Sequence, residues 1–77
     1  MILVSIRDVV ADEFGDVATY KSKEVAVRSF DTFCEKVPFR DDLQLYQVGE
    51  FDSDTGLITP CNKFIKNGVL KDGTVEL

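Results

Sequence analysis

The chain has 77 residues, with 14 Asp and Glu against 9 Lys and Arg, no histidine and a formal net charge of -5. At this length it is one domain whose core supplies only about 3 to 5 kcal/mol of net stability, yet 44% hydrophobic residues and two prolines mark a folded chain. The acidity works against non-specific attraction to phosphate backbones, two cysteines without histidine cannot make a four-ligand zinc site from Cys and His alone, and no apolar run reaches the ~18 residues that span a bilayer.

Met1 leads straight into Ile2-Leu3-Val4-Ser5-Ile6, too short for a signal-peptide core and without a basic flank, so the protein is expected to stay where it is made. Cys34 and Cys61 are expected as reduced thiols. The charge is uneven: residues 1 to 60 carry a net of -6 and residues 61 to 77 a net of +1, a mildly basic tail.

In chain order, Ile2, Val4 and Ile6 alternate with Leu3, Ser5 and Arg7, the period of two of a strand with one apolar row. Residues 9 to 16 break the alternation and contain Gly15, which predicts a loop packing Phe14 or Val10 over the core edge. A short second strand is expected from Val17 to Lys21. Ser22 is a good N-cap and Glu24 suits the positive end of a helix dipole, so a helix is predicted to start at Lys23. Ala26, Phe30, Phe33 and Val37, widened by Val27 and Cys34, form its apolar stripe, and Pro38 ends it near Lys36.

Leu43 to Phe51 is the strongest strand pattern, though its alternation is imperfect; a bulge near Gly49 would restore the phase. Ser53-Asp54-Thr55-Gly56 fits a hairpin loop in which Gly56 takes positive φ, and Leu57 to Thr59 returns as a fourth strand that stops at Pro60. Beyond Cys61, Asn67-Gly68 and Asp72-Gly73 repeat turn chemistry. Phe64 to Lys66 with Val69 to Lys71 then makes either a small hairpin or part of a partly ordered tail. The expected fold is α+β, in the order β-β-α-β-β: a small antiparallel sheet with one helix packed on one face. Residues 1 to 61 form the domain, and residues 62 to 77 the hairpin or tail.

Candidate chemistry is sparse. Asp54-Thr55-Gly56 matches the three-letter core of aspartic protease sites, but Ser53 precedes it and it falls where a hairpin needs a turn. A calcium loop counted from Asp52 would place Gly56 at position five and Lys63 at position twelve, where ligands are required. Without histidine there is no Ser-His or Cys-His pair, and no glycine-rich phosphate loop is present. No catalytic residue, metal site or cofactor is expected.

For single-stranded nucleic acid, which is held by cations along its backbone and aromatic faces against its bases, the candidate residues are Arg7, Tyr20, Lys21, Lys23 and Arg28. Lys63, Lys66 and Lys71 are a second cationic group. One helix covers only one face of a four-stranded sheet, so Leu3, Tyr46 and Val48 are expected on the open face as a homodimer interface.

The run Tyr46 to Cys61, with Val48-Gly49-Glu50-Phe51-Asp52, Thr55-Gly56 and Ile58-Thr59-Pro60-Cys61, resembles the small nonstructural protein of gokushovirus-like single-stranded DNA microviruses. A first strand ending in Asp8, a glycine at position 15 and Ala26-Val27-Arg28-Ser29-Phe30 on a helix follow the same order, so the resemblance covers residues 1 to 61. It implies a non-enzymatic protein in the cytoplasm of an infected bacterium. That protein would act in viral genome replication or packaging by binding single-stranded DNA or a replication protein. The alternative is an interaction module that binds a host or viral protein and never touches DNA.

Overall fold

A computed structural model describes residues 1–68 of the chain. Four strands, β1 (Ile2–Asp8), β2 (Glu13–Tyr20), β3 (Leu43–Phe51) and β4 (Ile58–Asn67), form one antiparallel sheet in the order β2-β1-β3-β4. Helix α1 (Lys23–Cys34) joins β2 to β3 and is followed by a 3-10 turn at Arg40–Asp42. This is the expected α+β fold in the order β-β-α-β-β. No helix among the described residues is long and apolar enough to cross a membrane.

The start of α1 follows from its sequence. Ser22 stays extended and its hydroxyl accepts from the Val25 amide at 3.3 Å, satisfying one of the amides a first turn leaves unpaired. One helical face then lies on the sheet. Ala26, Phe30 and Cys34 are buried against Val4, Leu43 and Leu45, with Ile2, Ile6, Tyr20, Val27, Val37 and Ile65 packed around them. Phe33 departs from the expected stripe: it is 43% exposed, at a recess between α1 and the largely exposed strand β2. Asp31 on α1 accepts a hydrogen bond at 2.7 Å from Lys66 of β4, which ties the helix to that edge of the sheet.

Three further expectations are corrected. The predicted loop over residues 9 to 16 shrinks to a turn at Val9–Asp12, where the Asp8 carboxylate accepts from the amides of Val10 and Ala11 and Asp12 takes φ 58°. β2 therefore begins at Glu13, not Val17. The alternation fails there because the register slips: Ser5 faces Val17 but Arg7 faces Phe14, so β2 carries an extra residue around Gly15 and Asp16. Val10 is 74% exposed, and Phe14 packs on the sheet face away from the core. The fourth strand does not stop at Pro60. β4 is an edge strand, where a residue with no amide to donate is tolerated, and it runs on to Asn67.

Residues 62 to 67 thus belong to the sheet, and Gly68, buried, donates its amide to the Leu43 carbonyl at 2.8 Å. The sheet continues past the boundary expected at Cys61. The second arm of the expected C-terminal hairpin, Val69 to Lys71, lies outside the described residues. The bulge expected near Gly49 is present, with Val48 the extra residue between the Val4–Gln47 and Leu3–Gly49 pairs. The β3–β4 turn also follows the sequence: Gly56 has φ 78°, and Asp52 accepts from the amides of Asp54 and Thr55. The Asp-Thr-Gly triplet is a turn.

Candidate nucleic-acid interface

Register decides which side chains share the face opposite α1. Leu3, Ser5 and Arg7 of β1 stand beside Thr19, Val17 and Phe14 of β2 and beside Gly49, Tyr46 and Gln44 of β3, while Phe64 of β4 stands opposite Tyr46. None of these is acidic. The strand carboxylates fall on the α1 side: Asp8 pairs with Leu43, Glu13 with Asp8 and Glu50 with Ile2, and Asp16 lines a recess against Phe30 and Phe33. In a chain with 14 carboxylates, one sheet face is left with Arg7 as the charged residue among these paired positions.

Three aromatic rings cross that face in a row. Phe14 meets Tyr46 edge to face at 5.2 Å between centroids, and Tyr46 meets Phe64 in the same way at 5.6 Å. Phe14 and Tyr46 sit on strands separated by β1, hence more than about 9.5 Å apart at the backbone, so their rings touch only by leaning towards each other across that strand. There Ser5 faces Tyr46 and Arg7 faces Phe14; the small Ser5 side chain is buried, and its hydroxyl donates to the Gly15 carbonyl at 2.9 Å.

The Arg7 guanidinium lies 6.0 Å from the Phe14 centroid, at the outer limit of a cation–π contact, and is ion-paired with Asp12 in the β1–β2 turn. The Asp12 side chain is 82% exposed, so this pair is readily opened by a competing anion. Phe14 and Phe64 are 43% and 51% exposed, and both present ring surface to solvent.

The sequence-derived cationic group is divided by the sheet. Arg7 lies on the open face. Tyr20 packs on the α1 side, its hydroxyl 2.9 Å from that of Ser29, Lys21 and Lys23 are exposed where β2 passes into α1, and Arg28 is exposed on the helix. Of the expected dimer residues, Leu3 and Tyr46 share the open face, while Val48 occupies the bulge. Lys63 is exposed on β4 opposite Gln47, and Lys66 is held by Asp31 on the α1 side; Lys71 lies outside the described residues. Phe14 and Phe64 were missed because each lies in a stretch read as loop or tail. Reading Asp8 to Glu13 as a tight hairpin would have placed Phe14 opposite Arg7.

Titration adds little at this face. Burial pushes the Cys34 thiol up, with Asp31 adding to the shift and Lys66 and Arg40 opposing it, so Cys34 is an inert core thiol. The amide of Asp54, followed by that of Thr55, holds the Asp52 carboxyl below its ordinary value, the mark of a turn and not of a reactive acid.

A family model described as phage ORF5 protein matches residues 1–70. The chain belongs to the phage ORF5 protein family. The match spans every element of the sheet and α1, and supports the broader part of the resemblance noted in the sequence: this is a bacteriophage protein. No curated protein and no solved structure matches the chain.

Proposed function

We propose that this phage ORF5 protein binds single-stranded nucleic acid across the open face of its sheet, and that this serves replication or packaging of the single-stranded DNA genome of a gokushovirus-like phage, without catalysis. The observation that carries the reading is the row Phe14, Tyr46 and Phe64. Bases stack on aromatic side chains with little regard to sequence, each contact contributing about 1 to 3 kcal/mol. A face free of carboxylates at its paired strand positions lets the phosphates approach, and Arg7 supplies a cation beside the first ring. Resemblance to the nonstructural proteins of single-stranded DNA phages supports the biological role.

With a net charge of -5, affinity has to come from stacking more than from counterion release. Each phosphate neutralised contributes a slope of about -0.7 in log K against log salt for a single strand, so one or two contacts predict a shallow dependence. Titrating a labelled thymidine oligomer at low and at physiological salt tests this. Saturable binding with a shallow slope supports the reading; no binding even at low salt removes it. Arg7→Ala should weaken binding and Arg28→Ala, on the other side of the sheet, should not.

The same apolar face suits a second copy of the chain or another protein, since Leu3, Val17, Tyr46 and Phe64 lie on it together. In that reading the rings are covered by protein and DNA never touches them. Sedimentation separates the two: a dimer dissociated by Tyr46→Ala, with no oligomer binding, favours the protein partner.

A further inference from the structure

The α1 side of the sheet carries a surface of opposite character. Of the eight residues of β2 only Tyr20, whose hydroxyl meets that of Ser29 on α1, is partly buried. Between α1 and β2 lies a recess of about 210 Å³, with Val4, Ile6 and Ala18 on the sheet side and Phe30 and Phe33 on the helix side. A second recess of about 330 Å³ shares Ile6, Asp16 and Phe33 and adds Phe39 and Leu43. Phe33 and Phe39 are 43% and 50% exposed, two large rings half in solvent at one groove. The charged residues lining the two recesses are Asp8, Glu13 and Asp16; Arg28 and Lys36 line the adjoining helix surface beyond Ser29 and Phe33, so the acidic end of the groove is the one towards β2.

We propose that this groove docks a protein segment in which a large apolar side chain is flanked by Lys or Arg. The apolar floor calls for an apolar anchor. The first recess is smaller than the ~300 to 1,000 Å³ of typical small-molecule sites and suits one side chain. Three carboxylates at the groove favour basic neighbours and repel a phosphate backbone, so nucleic acid is not the occupant. Nor is a two-fold contact of this groove with itself in a second copy, which would bring two sets of three carboxylates together. The groove and the aromatic row lie on opposite faces of the sheet, so this proposal stands or falls independently of nucleic-acid binding.

The test uses the full chain labelled with nitrogen-15 and three short peptides at millimolar concentration: one Phe between pairs of Lys, the same with Glu for Lys, and the same with Ala for Phe. Saturable amide shifts at Ile6, Ala18 and Phe33, seen with the Lys-flanked Phe peptide and absent with the other two, are expected. Glu13→Gln and Asp16→Asn should each weaken that binding roughly two- to five-fold, as for exposed charge pairs. Phe33→Ser removes a half-exposed ring and should abolish the shifts while the remaining spectrum stays dispersed. Three results overturn the proposal: no saturable shift, equal response to the Glu-flanked peptide, or a dimer in sedimentation that Phe33→Ser converts to monomer, which would identify the occupant as a second copy.

Discussion

Truncating Phe64 separates the contribution of the aromatic row to binding from its contribution to folding. Phe64 is 51% exposed, so Phe64→Ala gives up about half of the ~1.5 to 3 kcal/mol that full burial of such a side chain contributes. It also loses one edge-to-face pair with Tyr46, worth about 0.5 to 1.5 kcal/mol. The combined cost is about 1 to 3 kcal/mol. Against the about 3 to 5 kcal/mol of net stability of a domain this small, the variant keeps a folded majority except where the full cost meets the lowest stability, so affinity is read only on samples that denaturant unfolding shows to be folded.

Loss of one stacked base should lower affinity for a thymidine oligomer by about 1 to 3 kcal/mol, or about 5- to 150-fold. Because stacking releases no counterions, the salt slope should be unchanged, whereas Arg7→Gln should reduce its magnitude by about 0.7 for one phosphate contact. The assay is fluorescence anisotropy over a salt series, with denaturant unfolding of the same samples. Undiminished affinity in folded Phe64→Ala, or a change in slope as large as that of Arg7→Gln, would refute the stacking argument.

Other expectations are more local. Asp12→Asn keeps a residue that tolerates φ 58° and frees Arg7, so affinity for the oligomer should rise by up to about 5-fold in the same anisotropy assay. Cys61, only partly buried, should react with a thiol reagent at once, while Cys34, buried and with its pKa raised, should react only as the chain unfolds; two separated kinetic phases are the readout. Asp52 is depressed below its ordinary 3.8, so its contribution to stability is present above about that pH and is lost as pH falls through the lower folded value. Asp52→Asn should therefore lower the thermal midpoint at neutral pH, and the difference from the parent protein should close in strong acid.

Much of the fold was legible because its signals were local. Ser22 and Pro38 bracket α1, Gly56 sets the β3–β4 turn, and Ile2, Val4 and Ile6 show the period of a strand with one buried row. What failed was β2 and the second half of β4, for one physical reason. Both are edge strands with few buried residues, so burial imposes little alternation on them, and bulges at Gly15–Asp16 and Ile65 shift the phase of what remains. Phe14 and Phe64 stand on those two strands, so the misread ends of the sheet also hid the aromatic row. Tyr46, on the central strand β3, is legible as an open-face residue; its ring neighbours become visible only once strand order sets β4 beside it and β2 across β1.

Those same irregularities determine how the molecule can grow. An edge strand is a template for further strands when it is long, flat and able to donate along its length. β2 bends at its extra residue, and β4 carries Pro60, a bulge at Ile65 and an exposed Lys63. Neither edge offers an uninterrupted ladder to a neighbour. Among the described residues, then, crowding of many copies at high concentration would not extend the sheet sideways into a fibre, and assembly would be restricted to its two broad faces.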